Sequence, residues 1–106
     1  MKWDFTYIDD IINGTISAID KNYQCEIINL GNNKSEKLTD IIKIIETRLN
    51  IKANVNFLPM QKGDVKETFA DIGHSKTHLQ FEPKTSLRDG LDMFIDWYIK
   101  YNKIYF

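Results

Sequence analysis

Residues 25–49 read CEIINLGNNKSEKLTDIIKIIETRL, and this stretch decides the fold. Its first six residues are nearly continuously apolar and rich in isoleucine, which predicts a β-strand over residues 25–30. Gly31, Asn32 and Asn33 follow and predict a tight turn. From Leu38 onward apolar residues recur every three or four positions, so we expect an amphipathic helix that ends near residue 50. A strand, a turn and a helix in this order indicate an α/β or α+β fold.

Weaker patterns extend this order toward both ends of the chain. On the N-terminal side we predict a short strand over residues 5–8 and then a helix to about Lys21, capped by Asp9 or Asp10. The C-terminal half adds predicted strands over residues 55–58 and 69–71, and predicted helices over about residues 73–80 and 87–101. The predicted fold thus has three main helices and one minor helix, and its short strands make only a thin sheet. The apolar strand over residues 25–30 is typical of strands covered on both faces, so a neighbouring element is missing.

The composition of the chain limits the functions that it can have. The chain has 106 residues, a hydrophobic fraction of 42% and a formal net charge of -1, which indicates one domain over residues 1–106. Balanced charge leaves no basic stripe, so we expect no nucleic-acid partner and no membrane anchor. The N-terminus lacks the pattern of a signal peptide, and no apolar run is long enough to span a membrane, so we expect a cytoplasmic location. The lone Cys25 is expected to be a buried, reduced thiol.

Candidate chemical groups are few. His74 and His78 are four residues apart, which is zinc-ligand spacing, but no third ligand stands nearby, so we predict no metal. No pattern of a catalytic nucleophile is present, so we predict no catalytic residue. The loop QKGD at residues 61–64 combines an amide, a cation and a carboxylate. Such a loop is able to bind phosphate oxygens and sugar hydroxyls, although the same residue types also make ordinary turns.

The last predicted helix carries aromatic residues beside its core stripe. Met93, Trp97 and Tyr101 flank the positions that face the core. Two interpretations stay open at this point: a broad core face, or a surface for a partner. Ser86, with Asp89 three residues later, predicts a capping box at the start of this helix.

Five segments together resemble one family, the extended short-chain dehydrogenase/reductase enzymes that act on nucleotide sugars, in particular the UDP-glucuronate 4-epimerases. The resemblance rests on DFTYIDDI at residues 4–11, INLGN at 28–32, FLPMQKGDV at 57–65, TFAD at 68–71 and FEPKTSL at 81–87, with Trp97 and Tyr98 closing the match. All of these are C-terminal motifs of a longer chain. The resemblance therefore implies the C-terminal substrate-binding portion of such an epimerase, without its NAD-binding Rossmann core.

In that family NAD is the cofactor, and the N-terminal part holds the glycine-rich NAD loop and the catalytic Tyr-x-x-x-Lys. Neither motif occurs in this sequence. The resemblance therefore implies that this chain binds no cofactor and is catalytically incompetent alone. Two alternatives stay open: one subunit of a split epimerase completed by a separate N-terminal Rossmann-type chain, or a relic domain that forms homo-oligomers without activity. In either case the strand over residues 25–30 would lack its neighbours in the large parallel sheet.

The resemblance also implies which residues bind a UDP-sugar. They are Phe5 near the nucleotide, Lys34 in the turn after the strand, Gln61 near the diphosphate, Asp64 near the ribose, and Thr68 close by. Two positions depart from the family pattern: Trp3 stands where the family has Arg, and Lys62 stands where it has Pro. Because a bidentate cation is lost from the phosphate site at position 3, we expect weakened substrate affinity.

Overall fold

The computed structural model describes residues 2–59, 61–63 and 67–104. Its helices are α1 (Ile8–Lys21), α2 (Leu38–Leu49), α3 (Gly73–Leu79) and α4 (Leu87–Tyr101). Strands β1 (Lys2–Trp3) and β2 (Glu36–Lys37) pair antiparallel in a two-stranded sheet. All four predicted helices are confirmed. In α1, α2 and α4 the apolar residues recur at helical spacing, which is a local property of the sequence.

The predicted strands are wrong within the described residues. Residues 5–8, 25–30, 55–58 and 69–71 carry no strand, and the short strands lie at residues 2–3 and 36–37 instead. A strand exists only where a second backbone segment accepts and donates its hydrogen bonds, and residues 25–30 find no such described partner. Ile27 is consequently 92% exposed. Cys25 is exposed as well, so the prediction of a buried thiol is wrong for the same reason.

The start of α1 differs from the prediction. Its N-cap is Tyr7, whose side chain makes no capping hydrogen bond. Asp10 lies in the first turn with 4% exposure, and its Oδ2 accepts hydrogen bonds from the backbone N–H groups of Lys84 at 3.2 Å and Thr85 at 3.0 Å. The carboxylate thus holds the linker between α3 and α4 instead of capping its own helix.

The start of α4 agrees with the sequence pattern. The Ser86 Oγ accepts a hydrogen bond from the Asp89 backbone N–H at 3.2 Å, which is the serine half of the predicted capping box. At the opposite ends of α1 and α2, Asn22 and Asn50 adopt left-handed conformations with φ of 53° and 55°. Asparagine tolerates this conformation better than most residues, so both helices end where the sequence allows it.

The core is small and lies between α1 and α3. Ile72, Leu79 and Phe81 form it, and the partly buried Leu30 packs against them. Gly14 faces this core from α1: a Cβ there would lie 2.7 Å from Leu30 Cδ2 and 2.9 Å from Phe81 Cδ1. A larger residue would push the helix away, so glycine in mid-helix is explained by the close packing. A second contact joins α2 to α4.

The molecule is flat and open. Its principal extents are 48 × 36 × 18 Å, and its radius of gyration is 16.6 Å, whereas a compact domain of this length has about 13 Å. Its accessible surface is 8538 Å², whereas a compact monomer of this mass exposes about 6,200 Å². The two helix pairs therefore leave much apolar surface uncovered.

Candidate functional site

Three segments of the chain meet at the carboxylate of Asp4, directly after β1. Its Oδ1 accepts the backbone N–H of Asn32 at 2.9 Å, and its Oδ2 accepts those of Asn33 at 3.0 Å and Ala70 at 2.8 Å. The hydroxyl of Thr6 donates to Oδ1 at 3.2 Å. We call this meeting point the Asp4 junction. It fixes the turn after residue 30 and the segment before α3 relative to β1.

Thr68 and Ser35 extend the Asp4 junction. The backbone N–H of Thr68 donates to the Lys2 carbonyl at 2.9 Å, and its Oγ1 accepts the backbone N–H of Asp4 at 3.2 Å. The Ser35 hydroxyl donates to the Thr68 carbonyl at 2.7 Å. Thr68 is therefore held through three of its polar atoms, and its own hydroxyl proton remains available to a further acceptor.

The local sequence allows the segments to approach closely. Gly31 is buried, and a Cβ at this position would lie 2.5 Å from the Cβ of Ala70, a distance that side chains do not tolerate. Asn33 adopts a left-handed conformation with φ of 56°, which points successive N–H groups of the turn toward one side. Because these two positions hold a glycine and an asparagine, the turn lies close enough for its backbone N–H groups to donate to the Asp4 carboxylate.

Three of the five residues that the resemblance implies belong to the Asp4 junction or to the backbone segments that meet there. Phe5 follows Asp4, Lys34 lies in the turn beside Asn33, and Thr68 belongs to the junction itself. The Lys34 side chain is 70% exposed, and its Nζ lies 3.9 Å from a carboxylate oxygen of Glu36. An exposed pair at this distance contributes little, so the ammonium group is available to an anion.

The other two residues are not placed at the junction. Gln61 is exposed in its loop, and no described hydrogen bond joins it to the junction. Asp64 lies outside the described residues. Both therefore stay predictions.

Trp3, the position that departs from the family pattern, stacks on Phe5. Their ring centroids are 6.3 Å apart with an interplanar angle of 26°. An aromatic pair thus stands beside the Asp4 junction.

Asp4 has a structural role that the sequence did not predict. It lies at the start of the stretch DFTYIDDI at residues 4–11, for which no acceptor role was expected. A signal was present in the turn at residues 31–33, because consecutive N–H groups in such a turn form a concavity that is able to bind a carboxylate. Nothing in the sequence tells which of the fifteen acidic residues supplies it.

An apolar groove borders the segment that follows Asp4. It has a volume of about 770 Å³ and is bordered by residues 5–8, by α4 and by Ile41 of α2. Phe5 and Thr6 line the groove, and Thr6 also donates to Asp4 at the junction. The groove and the junction are therefore neighbours along this segment.

The two histidines lie apart from the junction, on α3. Their ring centroids are 4.0 Å apart, and the Nε2 of His74 lies 3.5 Å from a carboxylate oxygen of Glu26. Within residues 2–59, 61–63 and 67–104, no three side chains of the metal-binding types are grouped to hold an ion. No helix in this part of the chain has the length and apolar character needed to cross a membrane.

Comparison with known proteins shows which proteins this chain is related to. The UDP-glucuronate 4-epimerase of Thermodesulfobacterium geofontis is 44% identical over 95 residues, which are 89% of this chain and 29% of that protein. An uncharacterised protein of Methanocaldococcus jannaschii is 46% identical over 100 residues, 94% of this chain and 31% of that protein. No family model matches.

A crystal structure supports the same relationship. The UDP-glucuronic acid 4-epimerase of Bacillus cereus, in complex with UDP-glucuronic acid and NAD, superposes with a TM-score of 0.83 and 42% identity, over 93% of this chain and 32% of that enzyme. The fold is thus the C-terminal portion of a nucleotide-sugar epimerase of the short-chain dehydrogenase/reductase type. Within that class, the chain belongs with the C-terminal part of the UDP-glucuronate 4-epimerases. It spans about a third of the length of the relatives it matches.

Proposed function

We propose that this chain is the substrate-binding portion of a nucleotide-sugar epimerase, that residues 1–106 fold as one domain, and that the ligand is a UDP-sugar. One observation supports the proposal: Asp4 accepts the backbone N–H of Asn33, the neighbour of Lys34, and donates its own backbone N–H to Thr68, so that Phe5, Lys34 and Thr68 belong to backbone segments that meet at the Asp4 junction. These are three of the residues that the resemblance implies for nucleotide-sugar binding.

The side chains at the junction suit a nucleoside diphosphate. The exposed Lys34 ammonium is able to pair with phosphate oxygens. The Thr68 hydroxyl accepts from Asp4 and is able to donate to a ligand oxygen. The stacked rings of Trp3 and Phe5 offer a flat apolar surface to a base. We assign Gln61 to the diphosphate and Asp64 to the ribose by analogy with the family.

Epimerisation itself needs groups that this sequence does not have. The glycine-rich loop and the Tyr-x-x-x-Lys motif are absent from residues 1–106. We therefore propose that residues 1–106 supply groups that bind the substrate, and that the groups that bind NAD and carry out epimerisation lie outside these residues. Ile27, which is 92% exposed, leaves apolar surface that a further polypeptide segment would cover.

Replacing Lys34 by alanine is expected to weaken UDP binding about tenfold or more, because a charge-assisted hydrogen bond to phosphate is lost. The thermal midpoint should stay nearly unchanged, since the side chain is 70% exposed. Asp64→Ala is expected to act in the same direction. Calorimetric titration with UDP measures the affinity, and a thermal melt measures the midpoint.

Lys76→Ala is the matched control, because Lys76 is an exposed lysine on α3, away from the junction. It should bind UDP as the unmodified chain does. Equal affinity in the Lys34 and Lys76 variants would remove Lys34 from the site. A collapse of the thermal midpoint in Asp64→Ala would make Asp64 a structural turn residue.

A further inference from the structure

We propose that His74 and His78 of α3, together with Glu26 in the segment after α1, form a binding site for a divalent transition metal, and that this metal is Zn²⁺. The site lies apart from the Asp4 junction, so the inference does not rest on the proposed function. The sequence alone predicts no metal, because no third ligand is close to the two histidines along the chain. The fold supplies that third ligand by placing Glu26 beside His74.

The helix α3 presents both imidazole rings on one face. Ser75 and Leu79 are buried and therefore define the side of α3 that meets the core. His74 and His78 each precede one of these residues, so they share the neighbouring side of the helix. Their ring centroids are 4.0 Å apart. Two histidines four residues apart on one helical face are able to bind the same zinc ion.

The carboxylate of Glu26 stands at the separation that a shared metal ion requires. Its Oε2 lies 3.5 Å from the Nε2 of His74. Zinc binds imidazole nitrogen and carboxylate oxygen at about 2.0–2.2 Å with tetrahedral angles, which places two such donors about 3.4 Å apart. A direct N–H···O hydrogen bond is shorter than the observed separation. The geometry of this pair therefore fits an ion between the two donors better than a direct bond.

His78 is the ligand that has to turn. The two imidazole rings are inclined at 72°, so the three donors do not point at a single spot in the structure as it stands. Within residues 2–59, 61–63 and 67–104, no hydrogen bond holds the ring nitrogens of His78, and the ring contacts only the rings of His74 and Tyr23. Rotation about its side-chain bonds therefore breaks no hydrogen bond and is able to complete the site.

A hydrogen bond holds the two backbone elements of the site together. The Tyr23 hydroxyl donates to the His78 carbonyl at 3.0 Å, which ties the segment after α1 to the C-terminal part of α3. The side chains of His74 and Glu26 are 44% and 41% exposed, so an ion from solution is able to reach them. Ligands that are already held near each other lose less conformational freedom on binding.

The donor set selects the kind of metal. Two imidazole nitrogens and one carboxylate oxygen suit zinc, which takes a water molecule as its fourth ligand in sites with three protein ligands. Mg²⁺ and Ca²⁺ prefer sites made of oxygen atoms, so we expect neither to bind here. Bound zinc would join α3 to the segment over residues 25–30, which leads directly to the turn at Gly31.

The test is calorimetric titration of the full chain with ZnCl₂ in a nucleotide-free buffer that contains a reductant, with MgCl₂ titrated separately. One Zn²⁺ is expected to bind per chain, and Mg²⁺ is expected not to bind. His74→Ala and Glu26→Gln should each lower the affinity for Zn²⁺ at least about tenfold, because each removes one ligand. Zn²⁺ should also raise the thermal midpoint of the unmodified chain, since the ion binds the folded state.

Cys25→Ser is the matched control. Cys25 is exposed and precedes Glu26, and its thiol is the other group in this segment that could bind zinc. The variant should bind Zn²⁺ as the unmodified chain does. The chain has two histidines, so the imidazole signals in an NMR spectrum report on this site alone, and both should shift when Zn²⁺ is added.

Three results would overturn the metal site. The first is no Zn²⁺ binding by the folded, unmodified chain. The second is equal affinity of the His74→Ala and unmodified chains, with thermal melts showing that both are folded. The third is loss of binding in Cys25→Ser with intact binding in His74→Ala, which would make the thiol the ligand.

Discussion

Replacing Asp4 by alanine is expected to lower the free energy of unfolding by about 3 kcal/mol. The carboxylate accepts three backbone N–H groups and one hydroxyl, and no other described group replaces it. Bonds to a charged acceptor are each stronger than neutral ones, but their losses are not additive and Asp4 is only half-buried. Urea unfolding monitored by tryptophan fluorescence measures the change.

The same substitution should abolish UDP binding, because the junction holds Phe5, Lys34 and Thr68 in place. Asp4→Asn keeps one acceptor oxygen and should lose an intermediate amount of stability. Asp20→Ala is the control: Asp20 is exposed on α1, and its removal should change stability by less than about 0.5 kcal/mol. If Asp4→Ala were no more destabilising than Asp20→Ala, the junction would not organise the site.

Replacing Asp10 by alanine is expected to cost about 2 kcal/mol of unfolding free energy. Asp10 is 4% exposed, and it accepts the backbone N–H groups of Lys84 and Thr85 in the linker before α4. Removing the carboxylate leaves these two donors without their acceptor and loosens the attachment of α4 to α1. Chemical unfolding measures the loss, with Asp10→Asn expected to retain part of the stability.

We expect UDP affinity to distinguish the role of Asp10 from that of Asp4. Asp10 does not belong to the Asp4 junction, so Asp10→Ala should bind UDP normally under conditions in which the variant is folded. Its neighbour Asp9 is exposed in the first turn of α1, and Asp9→Ala should cost less than about 1 kcal/mol through the helix dipole. A fall in UDP affinity in Asp10→Ala at full folding would show that the site extends to α1.

The helices were predictable because their determinants are local. The apolar stripe of α2 and the left-handed Asn50 after it lie within one short stretch, and both appear where the sequence puts them. The prediction of a strand over residues 25–30 was wrong, because a strand needs a hydrogen-bonded neighbour that the described residues do not supply. The role of Asp10 was missed for a related reason: its partners are 74 and 75 residues away.

The candidate site, like the fold, could be predicted only in part from the sequence. Composition and spacing singled out the loop at residues 61–64, and only the resemblance pointed to Phe5, Lys34 and Thr68. Their meeting depends on Asp4, whose acceptor role is decided by backbone segments up to 66 residues away. The flat shape and the uncovered groove are the features that we expect of a substrate-binding portion packed against further polypeptide.

Calorimetric titration of the purified chain with UDP and, separately, with NAD is the decisive experiment. We expect UDP binding in the micromolar to millimolar range, lost in Asp4→Ala, and no heat of binding with NAD. Binding of NAD, or no binding of UDP by a well-folded chain, would contradict the assignment of a substrate-binding portion.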